Sequence, residues 1–123
     1  MSKRYHIAVV GATGAVGVEM FRVLERRGFP VASIRAFSSK RSAGKSALFH
    51  GEKIPVAELA PDSFRGIDLA LFSAGTAVAR EFAPIARDAG AIVIDNSSTF
   101  RMEPEVPLVI PEINGDDAKL HRG

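Results

Sequence analysis

Residues 7–17 read Ile-Ala-Val-Val-Gly-Ala-Thr-Gly-Ala-Val-Gly, and this run constrains the fold more than any other part of the chain. Ile7 to Val10 are wholly apolar, as expected for a strand buried on both faces of a parallel sheet. The strand runs into glycines at three-residue spacing, Gly11, Gly14 and Gly17, which open a helical pattern. Strand, glycine turn and helix make the layout of a dinucleotide-binding turn. Gly11 lets the chain turn sharply off the strand, Gly14 leaves room for a pyrophosphate, and Gly17 lets the helix pack closely on the sheet. The first N–H groups of the helix have no intrahelical acceptor, and they offer hydrogen bonds and partial positive charge to an anion. Any tight strand-to-helix turn favours glycine, so a purely structural turn is the alternative. The context favours the nucleotide: Val16, Met20, Phe21 and Leu24 recur at helical spacing, with Glu19, Arg22, Glu25 and Arg26 opposite. Gly28 is placed to stop that helix.

The remaining pattern alternates strand and helix. Strands are predicted over 5–10 and 33–37, with a helix over 15–27 between them. A hairpin over 47–56 turns at His50-Gly51. Residues 62–66 read as one helical turn, and 68–72 as a strand. Thr76 is placed to cap a helix that runs to Ala89, with Pro84 inside it and Gly90 ending it. A further buried strand is expected over 91–95. This rhythm predicts an α/β fold, a Rossmann-like doubly wound, mostly parallel sheet. Beyond it, Val106 to Ile110 form an apolar run flanked and interrupted by Pro104, Pro107 and Pro111, and Asn114 begins a helical pattern that the sequence leaves at Gly123. The expectation is one nucleotide-binding domain over 1–123, the N-terminal piece of a longer enzyme.

Composition removes several function classes. A chain of 123 residues can bury roughly two thirds of its unfolded surface, enough for one core. It has no cysteine, so disulfides, thiolate metal sites and a cysteine nucleophile are excluded within it. A net charge of +2 is too small to argue for nucleic acid. His6, His50 and His121 share no metal-ligand spacing, and no metal is expected. No apolar run is long enough for a membrane span, and no signal-peptide pattern precedes the first strand. A cytoplasmic protein is expected.

The choice of nucleotide turns on the segment after the second strand. NAD-binding folds place a carboxylate there for the ribose 2′-hydroxyl. Residues 37–45 contain none; they offer hydroxyls at Ser38, Ser39 and Ser42 and cations at Lys40, Arg41 and Lys45. A 2′-phosphate wants such donors, and the guanidinium fork suits it best. NADP is therefore favoured, with Arg41 and Ser39 as leading candidates, against the alternative of a solvated basic loop.

Five pieces together carry a family resemblance: Gly11-Ala-Thr-Gly-Ala-Val-Gly17, Ser38-Ser-Lys-Arg-Ser-Ala-Gly-Lys45, Phe72-Ser-Ala-Gly75, Val93-Ile-Asp-Asn-Ser-Ser98 with Phe100-Arg-Met102, and Val106-Pro-Leu-Val-Ile-Pro-Glu-Ile-Asn114. In these the chain resembles the aspartate-β-semialdehyde dehydrogenases over essentially its whole length. The resemblance implies the N-terminal domain of a two-domain, homodimeric enzyme. Such enzymes reduce L-aspartyl-4-phosphate with NADPH, giving L-aspartate-4-semialdehyde and inorganic phosphate, an early step toward lysine, threonine and methionine. It further implies that Thr13, Gly14, Ala15 and Val16 form the pyrophosphate clamp and that Arg41 and Ser42 hold the 2′-phosphate. Ser73, Ala74 and Gly75 would pass along the cofactor, Asn96 would lie near the active site, and Arg101 would grip the substrate phosphoryl group. From the residues alone, Asn96 reads equally as an Asx-turn that ends a strand. Arg101 reads as a surface ion pair with Glu103 or Glu105.

In that family a cysteine thiolate attacks the acyl phosphate, a thioester forms, and a histidine moves the protons. The chain departs from this pattern because it has no cysteine, so it is expected to bind cofactor and phosphate and to be inactive alone. N-acetyl-γ-glutamyl-phosphate reductase is the nearest rival enzyme. The loop 38–45 and Phe100-Arg-Met102 favour the aspartate enzyme over it. An extended short-chain reductase or epimerase also uses a Gly-Ala-Thr-Gly turn, but needs a Tyr-x-x-x-Lys pair, and the one tyrosine is Tyr5. A non-catalytic NADPH-binding module is the alternative of a different class.

Overall fold

The computed structural model of the chain describes residues 3–39 and 44–95. Six strands and two helices follow in the order β1 (Tyr5–Val10), α1 (Ala15–Arg26), β2 (Val31–Ser38), β3 (Ser46–Phe49), β4 (Glu52–Glu58), β5 (Leu69–Phe72), α2 (Thr76–Asp88) and β6 (Ile92–Asp95). They form one sheet in the order β3-β4-β2-β1-β5-β6. Every pairing is parallel except β3 with β4. The chain leaves β1 through α1 to β2 on one side, and β5 lies on the other side of β1. The order therefore reverses at β1, the place where open α/β sheets bind ligands beyond the strands' carboxyl ends.

β1 is the centre of the core, with Ile7, Ala8, Val9 and Val10 all fully buried. Its alternation divides the apolar side chains between two faces. Ile7 and Val9 join Phe21 of α1, Ala36 of β2 and the hairpin residues Ala47, Phe49 and Val56. Ala8 and Val10 join Phe72 of β5, Phe64, and the small side chains Ala79, Ala83 and Ala86 of α2. Small residues on that face let α2 lie close to the sheet. Both helices end as expected: the N–H of Gly28 bonds to the Glu25 carbonyl at 3.1 Å and that of Phe29 to Leu24 at 3.1 Å. The same pair recurs from Gly90 to Arg87 at 2.9 Å and from Ala91 to Ala86 at 3.0 Å, two Schellman closures. The hairpin turns at His50 and Gly51, both with positive φ, as a two-residue connection matched to strand twist demands. Its tip is held to α1 by the His50 N–H donating to Glu25 Oε1 and by the Phe21–Phe49 edge contact.

Four local expectations are corrected. Val16 is 46% exposed and not on the buried face of α1, because the first helical turn projects beyond the strand ends; the burial comes from Gly17 and Phe21. Residues 61–66 form successive turns with i to i+3 bonds rather than a helical turn. Thr76 is the first residue of α2, so its cap position falls on Gly75, and no side chain caps it. Among the described residues β6 lies at the end of the sheet and is not the buried strand expected, with Ile92 and Ile94 exposed. No described helix is long and apolar enough to cross a membrane.

Candidate functional site

The glycine turn joins β1 to α1 at the point of reversal, and steric contacts fix its shape. Gly11 has φ +85°, and a Cβ there would stand 2.8 Å from the Ser73 carbonyl oxygen. Both constraints exclude a side chain. A Cβ at Gly17 would stand 2.1 Å from the Gly11 carbonyl oxygen and 2.9 Å from Ala12 Cα, so α1 packs on the turn only because Gly17 has none. Gly14 differs. Its φ is negative and a Cβ there would make only an ordinary 3.6 Å contact. The fold does not require glycine at position 14; the exposed backbone there is clear for a ligand.

The turn is anchored at both neighbours. The N–H groups of Gly11 and Ala12 both donate to the Phe37 carbonyl of β2, at 2.9 and 3.1 Å. Just past β5, the Ser73 N–H donates to the Val10 carbonyl at 2.9 Å. The Ser73 hydroxyl lies 3.2 Å from the same oxygen and 3.4 Å from that of Gly11. Ser73 thus reaches the site by bracing the turn from the neighbouring strand.

Beyond these strand ends lies a cavity of about 280 Å³. Gly11 and Thr13 of the turn, Ser38 and Ser39 at the end of β2, and Ala74 after β5 all line it. Leu59, Val78 and Phe82 add an apolar wall. Gly14, Ala15 and Val16 stand exposed at the start of α1. No side chain caps that helix and no acidic residue occupies its first turn, so nothing competes there with a bound anion. α2 likewise begins at Gly75 with neither a side-chain cap nor an acidic first turn. A steric cradle that a Cβ would fill, an uncapped helix start and an adjoining half-apolar cavity fit a dinucleotide.

The structure brings together Gly11, Thr13, Gly14, Ala15, Val16, Gly17, Ser38, Ser39, Ser73, Ala74 and Gly75 at the carboxyl ends of β1, β2 and β5. Ser38 is itself buried, its hydroxyl 3.1 Å from the Ser39 carbonyl. Lys45 is held by backbone bonds on either side of Val56, with the Gly44 N–H to the Val56 carbonyl at 3.0 Å and the Val56 N–H to the Lys45 carbonyl at 2.8 Å. It is not among the cavity-lining residues. Arg41, Ser42, Asn96 and Arg101 lie outside the described residues.

Besides the apolar Leu59, Val78 and Phe82, one charged lining residue escaped the sequence reading. Glu58 ends β4, a strand that pairs with β2 in parallel and sets Glu58 opposite Ser38. The Leu59 N–H then donates to the Ser38 carbonyl at 3.0 Å. A carboxylate therefore does stand at the end of β2, supplied by the neighbouring strand. The only available signal was the length of the apolar pattern in the hairpin's second strand, which carries it past Val56.

Comparison with known proteins agrees with this geometry. The family model described as "Semialdehyde dehydrogenase, NAD binding domain" matches residues 6–121. The aspartate-semialdehyde dehydrogenase of Bacillus subtilis (strain 168) is 50% identical over 123 residues, covering 100% of this chain and 36% of that protein. That of Aquifex aeolicus is 50% identical over 116 residues, 94% of this chain and 34% of that protein. Among solved structures, aspartate semialdehyde dehydrogenase II from Vibrio cholerae, complexed with ASA, superposes with a TM-score of 0.91 at 41% identity, over 96% of this chain and 39% of that one. The Candida albicans enzyme, solved with NADP, gives 0.78 at 28% identity, over 94% and 36%. The chain thus spans about a third of the length of the relatives it matches.

Proposed function

The chain belongs to the semialdehyde dehydrogenase family by its NAD-binding domain, and from that membership we propose that it is the NADP-binding domain, over residues 1–123, of a cytoplasmic, homodimeric aspartate-semialdehyde dehydrogenase. The reaction is the reductive dephosphorylation of L-aspartyl-4-phosphate to L-aspartate-4-semialdehyde. The observation that carries this reading is the turn in which Gly17 fits only without a Cβ and Gly14 is left clear.

Each group has a share in that chemistry. The N–H groups of Ala15, Val16 and Gly17 at the start of α1 would hold the pyrophosphate, with the Thr13 hydroxyl as a further donor. Ser38 and Ser39, with Arg41 and Ser42, would hold the adenosine ribose and its 2′-phosphate. Ala74 and Gly75 line the path of the cofactor, and Ser73 keeps the turn in register. When bound, NADPH supplies the hydride. Asn96 and Arg101 are the residues proposed to bind the acyl phosphate, where an arginine would neutralise the departing phosphate. No thiolate exists among these 123 residues, so the covalent step is assigned to a cysteine outside them.

Calorimetry of the purified chain with NADPH and NADH tests the reading. Saturable binding with NADPH the tighter ligand is expected, together with no phosphate-dependent reduction of NADP on addition of aspartate semialdehyde. Failure to bind either nucleotide sinks the nucleotide reading. Turnover by the chain alone sinks the assignment of the nucleophile.

A further inference from the structure

We propose that Glu58 is a specificity-determining residue of the nucleotide site, and that its carboxylate narrows the preference for a 2′-phosphorylated ribose. This rests on the nucleotide-binding reading above and adds a term that the sequence of the loop 38–45 does not contain.

Three observations carry it. Glu58 lines the same cavity as Thr13, Ser38 and Ser39. Its position is imposed by the fold: the parallel register sets it opposite Ser38, and the Leu59 to Ser38 backbone bond locks the end of β4 to the end of β2. Its side chain is exposed and makes no hydrogen bond or ion pair among the described residues.

A carboxylate at the end of the second strand accepts hydrogen bonds from ribose hydroxyls and repels a phosphate at the same place. Here it comes from the adjacent strand. The loop 38–45 supplies cations and hydroxyls that favour a 2′-phosphate, and Glu58 opposes them. The balance is a site that takes the phosphorylated nucleotide by a modest margin and admits the unphosphorylated one.

The probes are ADP and adenosine 2′,5′-bisphosphate, which carry the adenosine half of the cofactor and differ only at the position in question, apart from one phosphate of the 5′ chain. Calorimetry with the full chain compares wild type, Glu58→Gln and Glu58→Lys. Removing the charge is expected to raise the ratio of affinities for the bisphosphate over ADP by about threefold to tenfold, as for one short-range charge pair near a surface. Lysine moves it further the same way, and high salt shrinks both shifts. Using NADPH and NADH in parallel removes the difference in the 5′ chain. If wild type binds none of the four, the nucleotide reading itself falls and this proposal with it. If all bind and Glu58→Gln leaves both ratios unchanged, Glu58 is a bystander at the rim and the proposal alone is overturned.

Discussion

Gly11 and Gly17 touch so closely that the Gly11 carbonyl oxygen occupies the space a side chain on Gly17 would need, 2.1 Å from an ideal Cβ. The contact is backbone on backbone, so no flexible group can give way. Gly17→Ala is therefore expected to lift α1 off the turn, cost about 3 kcal/mol or more, and abolish nucleotide binding as a consequence. Thermal unfolding of the variant checks this, and an unchanged melting temperature would show that the turn adapts.

Gly14→Ala separates folding from binding. A Cβ at Gly14 meets the Gly11 oxygen at 3.6 Å, an ordinary contact at a backbone conformation open to alanine. The melting temperature is expected to stay within about 2 °C of wild type, since a tolerated surface change is worth less than ~0.5 kcal/mol. NADPH affinity is expected to fall at least about tenfold, because on the proposed reading the methyl group would meet the pyrophosphate as it approaches the backbone. Paired calorimetry and unfolding read both quantities, and full affinity in a folded variant would mean that the phosphates pass elsewhere.

Ser73→Ala probes the brace between β5 and the turn. The hydroxyl lies within bonding distance of two turn carbonyls, while the backbone bond from the Ser73 N–H to Val10 survives the change. A loss of about 1 kcal/mol is expected, a fall of roughly 3–6 °C, with nucleotide affinity changed by less than about threefold. The opposite pattern, lost affinity at unchanged stability, would make the hydroxyl a direct ligand of the cofactor.

These residues also mark how far the sequence could be read. The strand, glycine turn and helix of residues 5–28 were legible because each signal is local: an apolar run, glycines at fixed offsets, a glycine at the helix end. The His50-Gly51 hairpin was legible for the same reason. What the sequence left hidden is set by strand order. The hairpin pattern of 47–56 says that a strand is there, but neither that it runs on to Glu58 nor that it pairs in parallel with β2, and only that pairing brings Glu58 beside Ser38. Ile92 and Ile94 are exposed on β6, which ends the sheet among the described residues, a place that an apolar run does not encode. Val16 fits the helical apolar stripe by spacing, yet the helix begins above the strand ends, where there is no sheet to cover it.

Arg41 and Glu58 should act in opposite directions on the same quantity, and that opposition can be measured. Arg41→Ala removes the candidate partner of the 2′-phosphate. A charge-assisted bond of about 1.5–3 kcal/mol is at stake, so NADPH affinity is expected to fall roughly 10- to 100-fold while NADH affinity changes little. Glu58→Gln is expected to move selectivity the other way by a smaller factor. In the double variant both charges are gone, and the preference should lie between the two single variants. If the arginine and the carboxylate contact each other as well as the ribose, the two effects will not add, because each single change then exposes the other charge. A calorimetric double-mutant cycle with NADPH and NADH separates the cases: additivity places the two groups on the ligand independently, and a coupling above about 0.5 kcal/mol makes them one unit.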